Sequence, residues 1–437
     1  MKRTISHELD RWRRSEHRKP LILRGARQVG KTFSLREFGA ASFPNCHYVN
    51  FEKDEGIGRL FEQDLKPDRI VEELQFYLDR PIDRGRDLVI FDEIQRIPKA
   101  LTSLKYFAEE MPDLALCAAG SLLDVALQPD SFPVGKVEFL DMYPLSFLEF
   151  LDAAGKERLV ELIRAQELTR AFPETAHEQL WELWKRYLVV GGLPEAVSRY
   201  REGGNFYEIA QAIRKLQQDL FEAYLADMAK HSGKSNALHI EKLWRNVPVQ
   251  LAREQTGSAG KFKLRDGIPG IRGYDRLSAP LDWLECANLI IRTPILDSVS
   301  LPLAGCAKEN RFKVYFFDVG MLGAVSGIAP ATLLNYSFGS YQGYVAENFV
   351  AQELRAAGAK TLYCWQGRTA EVEFLLDREG DVIPVEVKSG WVTQSKSLKV
   401  YTERYHPSYS YILSANNISE GGRSRRLPLY AAARLNK

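Results

Sequence analysis

Paired metal or disulfide ligands are missing from this chain. Its five cysteines (Cys46, Cys117, Cys286, Cys306 and Cys364) stand alone, with no CxxC spacing. That argues against a zinc site or a disulfide framework and for a reducing compartment. The seven histidines show no HExxH or paired-ligand pattern either. Metal chemistry is therefore expected to use carboxylates. No apolar run approaches the roughly 18 residues of a membrane span. The opening stretch, MKRTISHELDRWRR, lacks the apolar segment of a signal peptide. A cytoplasmic location without membrane contact is the expectation. Neither sign of charge is in excess, since 59 basic residues face 57 acidic ones for a net charge of +2. That balance excludes a protein held on nucleic acid by overall basicity. It leaves room for a local basic groove.

What remains is an ordinary globular composition over 437 residues, 45% apolar and 27% charged. At roughly 150 residues per domain, about three domains are expected. Residues 1–19 read as a polar helix with Leu9 and Trp12 on one stripe. The basic side chains there suit a solvated helix face.

The first strong signal follows a short apolar run, Pro20–Arg24, typical of a buried strand. Gly25-Ala26-Arg27-Gln28-Val29-Gly30-Lys31-Thr32 is GxxxxGKT in full, and a helical pattern begins near Thr32. Such a loop turns successive backbone N–H groups toward the β- and γ-phosphates of a nucleotide, at the positive end of the next helix. Lys31 is expected to reach the phosphates and Thr32 to ligate Mg²⁺. The cradle is expected to run from Gly25 to Phe33. A second buried-strand pattern, Asp87–Phe91, ends in Asp92-Glu93. A carboxylate at that strand end can hold a Mg²⁺-bound water, which assigns Asp92 to the metal. Glu93 is placed to orient or deprotonate the attacking water, which points to hydrolysis beyond nucleotide binding. Strand patterns at His47–Phe51 and Leu114–Ala118 fit the same sheet. The latter runs into Gly120-Ser121. Ser121 can touch the γ-phosphate or the lytic water, though turn chemistry accounts for a Gly-Ser pair equally well.

GARQVGKT, LVIFDEIQ, CAAGS and VGKVEFLDMYPLSFLEF, in this order, resemble the AAA+-type ATPases of the archaeal-ATPase group. The resemblance covers roughly residues 1–200, including Gly191-Gly192-Leu193-Pro194-Glu195. It implies that Asp92 serves Mg²⁺, Glu93 is the catalytic carboxylate and Ser121 takes the sensor position. It leaves room for a homo-oligomer, since relatives of this type often act as rings. The family often has Gly-Arg where this chain has Gly135-Lys136, so the planar fork of Arg is lost there. Arg96 suits a surface role at least as well as that of an arginine finger.

Residues 145–230 show helical periodicity, for example Leu180, Leu183, Trp184, Tyr187 and Leu188. A helical lid is expected, its aromatics in the core. Leu281–Ile291 reads as a helix followed by a strand, the pattern that ends a winged-helix unit. The basic run Lys261–Arg265 could face a phosphate backbone, but Gly267, Pro269, Gly270 and Gly273 interrupt the place of a recognition helix. A structural or interdomain role is preferred there.

The last third carries a second carboxylate set. Strand patterns fall at 311–317, 361–365, 371–377 and 382–388, with a helix at Tyr341–Leu354 that holds Glu347. Side chains alternate along a strand, so Glu386 and Lys388 share one face of their strand, and on the preceding strand Glu371 and Glu373 share a face opposite Val372 and Phe374. A hairpin can bring Glu373 beside Glu386 and Lys388. Glu347, Glu373 and Glu386 could then form a Mg²⁺ shell, with Lys388 positioning water or neutralising phosphate. This arrangement resembles the PD-(D/E)xK nuclease superfamily. The tract from GGLPEAV through YVAENFVAQEL and IPVEVKSG also looks like the poorly characterised domain that follows this ATPase module in many bacterial proteins. Glu373 stands where Asp is usual. The resemblance implies catalytic roles for Glu373, Glu386 and Lys388.

The expected fold is α/β: a P-loop parallel-sheet ATPase core (1–150), a helical lid (151–230), a helical or winged-helix-like connector (231–310) and a C-terminal α/β nuclease-like domain (311–437). The expected function is Mg²⁺-dependent ATP hydrolysis coupled to a nuclease-like domain that binds or cleaves DNA or RNA, in nucleic-acid processing or defence. The alternative is a nucleotide-dependent switch whose C-terminal domain is catalytically inactive and serves protein interaction or signalling.

Overall fold

The computed structural model describes residues 1–120, 135–232, 234–254, 262–263, 274–336, 339 and 341–436. The chain divides into two compact units, Met1–Tyr143 and Pro144–Lys437.

The first unit alternates strands and helices: α1 (Ile5–Arg14), β1 (Leu21–Arg24), α2 (Lys31–Ser42), β2 (Cys46–Asn50), α3 (Pro67–Leu78), β3 (Leu88–Asp92), α4 (Pro98–Glu110), β4 (Ala115–Ala119) and β5 (Glu138–Asp141). The strands form one sheet in the order β2-β3-β4-β1-β5, every pairing parallel. The apolar runs LVIFD and ALCAA are buried along their whole length, as strands of a covered parallel sheet must be. One core collects Phe51, Phe61, Phe91 and Phe107, whose rings meet at 5.4–6.3 Å between centroids. Each ring withdrawn from water contributes about 1.5–3 kcal/mol. Because β4 lies between β1 and β3, the loop after β1 and the acidic end of β3 open on the same edge, one strand apart. Ligands of open parallel sheets bind at such strand ends.

The second unit begins with helices: α5 (Phe147–Ala153), α6 (Glu157–Ala165), α7 (Glu174–Val190), α8 (Pro194–Arg201), α9 (Phe206–Ser232), α10 (Lys234–Glu254) and α11 (Tyr274–Cys286). Then come β6 (Ile290–Leu296), β7 (Phe312–Phe316), α12 (Val319–Val325), α13 (Pro330–Asn335), α14 (Tyr341–Ala356), β8 (Tyr363–Gln366), β9 (Glu371–Arg378), β10 (Asp381–Val387), α15 (Lys396–Tyr405), β11 (Ser410–Ser414), β12 (Ser419–Gly421) and β13 (Ser424–Pro428). These strands form one mixed sheet, β12-β13-β11-β10-β9-β8-β6-β7.

The stretch read from sequence as a lid shares its core with this sheet's helices. Phe147 and Tyr187 pack edge-on against Phe349 of α14 at 6.4 and 5.9 Å. Trp184 meets the same ring at 5.5 Å. Buried Glu353 accepts from the Phe147 amide at 2.9 Å, and Gln352 donates to the Tyr187 hydroxyl at 2.7 Å. The Gly191-Gly192 pair has a steric reason. Gly191 has φ +70°, and a Cβ there would lie 2.4 Å from Asp318 Oδ1. Asp318 accepts from the Gly192 amide at 2.6 Å and caps α12 through Met321. Burial pushes Asp318 up to about 6, against the pull of these amides and Arg214.

Most of residues 255–273, including much of the basic run Lys261–Arg265, lies outside the described residues, and so does Ser121.

Candidate functional site

Gly25 opens the phosphate loop in a conformation reserved for glycine. Its φ is +143°, and a Cβ would fall 2.1 Å from the Met142 carbonyl oxygen. The loop closes at Gly30, and α2 begins at Lys31. Lys31 is buried, and its Nζ donates to the carbonyls of Gly25 and Ala26 at 2.8 Å each. Burial pulls its ammonium down to about 8, against the attraction of Glu93 and Asp92. Ala26 and Val29 are buried, while Gln28 has φ +61° and Phe33 is exposed on the first turn of α2. The loop has a tether that the sequence reading missed. Arg3, buried ahead of α1, donates to the Val29 carbonyl at 2.8 Å and to the Tyr143 carbonyl at 2.7 Å.

Across β4, Asp92 ends β3 and is buried. Its Oδ2 accepts from Thr32 Oγ1 at 2.9 Å and from the Tyr48 hydroxyl at 2.6 Å. The Glu93 amide donates to Oδ1 at 3.1 Å. Tyr48 lies on β2, where the sequence signals only a strand. It accepts from Asn50 at 3.0 Å, and the Arg36 guanidinium lies 5.1 Å over its ring. Burial, then the hydrogen bond to Asp92, push Tyr48 up to about 12, so the phenol stays a donor at neutral pH. Glu93 sits at φ +54°, a backbone region that costs a non-glycine residue energy. Its Oε2 accepts from Gln95 at 2.5 Å. Thr32 and Asp92 offer hard oxygen donors beside each other, which suits Mg²⁺. Arg96 pairs with Glu52 at the surface at 2.6 Å, and Lys136 pairs with Glu109 at 2.9 Å.

The second cluster lies in the mixed sheet. β9 and β10 are antiparallel, with Phe374 opposite Val385. Glu373 Oε2 accepts from the Val387 amide at 3.0 Å. Glu386 is 1% exposed and pairs with Lys388 at 2.6 Å, while its other oxygen is buried with no hydrogen-bond partner. Burial first, then Glu386 and Glu347, push Glu373 well above the usual carboxylate range. Burial lowers the Lys388 ammonium, but Glu386 beside it outweighs that and holds it above its ordinary value.

Two residues of this cluster carried no signal beyond a strand pattern. Lys313 on β7 is 4% exposed, lies 3.3 Å from Glu347 and ion-pairs with Glu371. Tyr315 donates to Glu347 at 3.0 Å. Glu371 is thereby drawn to Lys313, and Glu373 to the β10 backbone. Among the described residues, no group of three or more His, Cys, Asp or Glu side chains is arranged to hold a metal ion. The donors at Glu373 and Glu386 are nonetheless all oxygen, and the unpartnered Glu386 Oε2 fits a hard cation. No helix among the described residues is long and apolar enough to cross a membrane.

Residues 17–151 match the family described as an AAA domain. Residues 181–332 and 342–430 match two domains of unknown function, DUF8612 and DUF4143. No curated protein matches the chain. Among solved structures, the chain is similar to the Walker-type ATPase PABY2304 of Pyrococcus abyssi, at 17% identity over 73% of this chain and 94% of that one, with a TM-score of 0.47. It is also similar to the Aeropyrum pernix ORC1 protein in complex with DNA, at 17% identity, 76% and 95% coverage and a TM-score of 0.29. The Thermotoga maritima RuvB Holliday junction branch migration motor matches at 15% identity, 65% and 86% coverage and a TM-score of 0.31. The phosphate loop, the acidic strand end and the AAA match together make the N-terminal region a P-loop ATPase domain of the AAA type.

Proposed function

We propose that this protein is a Mg²⁺-dependent ATP hydrolase whose C-terminal unit is a nuclease-like module acting on DNA or RNA. The carrying observation is the hydrogen bond between Thr32 and Asp92, flanked by buried Lys31. Residues 25–33 hold the phosphates, with loop amides and the Lys31 ammonium facing the anion. Lys31 exchanges its two carbonyl partners for phosphate oxygens. Thr32 and Asp92 would hold Mg²⁺, which when bound neutralises charge on the phosphates. Glu93 accepts a proton from the attacking water, and Gln95 fixes its carboxylate. Ser121, following β4, is proposed to read the γ-phosphate.

In the second unit, Glu373 and Glu386 would hold a divalent ion, which when bound acidifies water and offsets phosphate charge, while Glu347, expected from the sequence to complete the shell, is held instead by Lys313 and Tyr315. Lys388 orients that water or the scissile phosphate. One observation favours the alternative of a nucleotide switch with a non-cutting C-terminal unit. The positive charge within the cluster already comes from Lys313 and Lys388.

The test incubates purified protein with plasmid and Mg²⁺ or Mn²⁺, with and without ATP, beside Lys31→Ala and Lys388→Ala. ATP hydrolysis lost in Lys31→Ala and nicking lost in Lys388→Ala are expected. ATP hydrolysis surviving in Lys31→Ala sinks the phosphate-loop assignment. No nicking, with ATPase intact, leaves the switch.

A further inference from the structure

The row of residues across the mixed sheet places a basic cleft beside the carboxylate cluster. Glu386 on β10 is in register with Ile412 on β11, and Ile412 with Arg426 on β13, both pairings parallel. Partners in register point to the same face of a sheet. Ile412, Ser424 and Arg426 therefore floor a cleft on the Glu386 face. Ser395, Lys396 and Lys399, at the start of α15, wall it, and its volume is about 490 Å³. Its one carboxylate, Glu403, lies 3.9 Å from Lys399 at an exposed pair, which neutralises little. Arg426 Nε is buried with no hydrogen-bond partner. The cleft is thus a concentration of positive charge in a chain of near-zero net charge.

The segment joining Lys388 to this cleft carries an exposed aromatic. Trp391 and Val392 are 61% and 73% exposed. The Trp391 backbone is nonetheless fixed, since its carbonyl accepts from Asn416 at 2.8 Å. Its ring lies 5.9 Å from that of Trp181. An exposed indole on an anchored backbone, between an active-site lysine and a basic cleft, is the combination that holds unpaired bases and their phosphates.

We infer that Trp391 and the Lys396/Lys399/Arg426 cleft form a binding track for single-stranded nucleic acid. A base stacks on Trp391, and the backbone phosphates run along the cleft from Lys388. This rests on the reading of the C-terminal unit as nuclease-like and adds the form of the substrate. A paired duplex cannot offer a base to Trp391, so single strands are preferred.

The test is fluorescence anisotropy of the full chain in EDTA with labelled oligo-dT, oligo-U and a DNA duplex. The two single-stranded arms separate DNA from RNA. Single strands should bind more tightly than the duplex. Trp391→Ala should weaken that binding about ten-fold, with Trp391→Phe restoring most of it. Lys399→Ala or Arg426→Ala should lower the salt slope by about one each. Thermal melts matching wild type exclude misfolding as the cause. Wild-type affinity and salt slope in Trp391→Ala and Arg426→Ala, or no binding of any oligonucleotide, would overturn the inference. Binding as expected without any plasmid nicking would instead defeat only the nuclease reading. Lys388-dependent nicking with full affinity in Trp391→Ala would defeat only the track.

Discussion

Tyr48 and Asp92 stand on neighbouring strands, and the phenol donates to the carboxylate's Oδ2 at 2.6 Å. Thr32 donates to the same oxygen, so one carboxylate atom is fixed from two directions. A hydrogen bond to a charged acceptor is worth about 1.5–3 kcal/mol. Tyr48→Phe should weaken nucleotide binding in Mg²⁺ by roughly ten-fold, and leave binding in EDTA nearly unchanged. Titration with a fluorescent ATP analogue in both buffers checks this. Equal losses in both buffers would show that Tyr48 acts on the loop and not through Asp92.

Gly25→Ala meets two obstacles, a φ of +143° and the Met142 carbonyl 2.1 Å from the new Cβ. The backbone must move, since neither partner is a flexible side chain. Strain of this kind costs of order 1–3 kcal/mol. A lower melting temperature and loss of nucleotide binding are expected. Wild-type affinity in Gly25→Ala would mean that the loop reshapes on binding.

Glu353 sets a pH dependence of stability. Its carboxyl is fully buried, and burial raises it to about 8. An unfolded Glu titrates near 4.3. Between those values the folded chain keeps a proton that the unfolded chain has lost. Stability from this group is therefore complete at acid pH and falls as pH rises toward 8, by up to about 1.4 kcal/mol per pH unit. Glu353→Gln keeps an acceptor for the Phe147 amide and should flatten that slope. Urea unfolding across this range compares the two proteins, and parallel slopes would defeat the assignment.

Removing Lys388 leaves Glu386 buried without its cation. Breaking a buried pair costs about 3–5 kcal/mol, and Lys388 is partly open to water, so roughly 2–3 kcal/mol is expected for Lys388→Met. Adding Glu386→Gln should recover most of it. Strict additivity of the two substitutions in chemical denaturation would show that the pair is not coupled.

Disrupting the Arg3 tether should loosen the loop from outside it. Arg3→Ala removes donors to the Val29 and Tyr143 carbonyls. Nucleotide affinity should fall several-fold, with the free energy of unfolding reduced by about 1–2 kcal/mol. Unchanged affinity in the same titration would confine Arg3 to a structural role.

The phosphate loop and the acidic pair were legible because their chemistry is written in consecutive residues. GxxxxGKT fixes a backbone shape within eight positions, and LVIFDE fixes a buried strand with an acidic end. The β9–β10 hairpin was legible for the same reason, since its turn is short. The long-range partners had no such record. Tyr48, Arg3, Lys313 and Tyr315 act through strand order and register, which bring together side chains far apart in the chain. Periodicity could say that residues 145–230 are helical with an apolar face, but not which surface that face would cover. Tertiary packing decided that, by closing Phe147, Trp184 and Tyr187 over Phe349. Absence of paired cysteines and histidines pointed to oxygen donors from composition alone. Which carboxylates are drawn to lysines, and which oxygen stays unpartnered in the interior, depends on burial and distance, which only the folded sheet supplies.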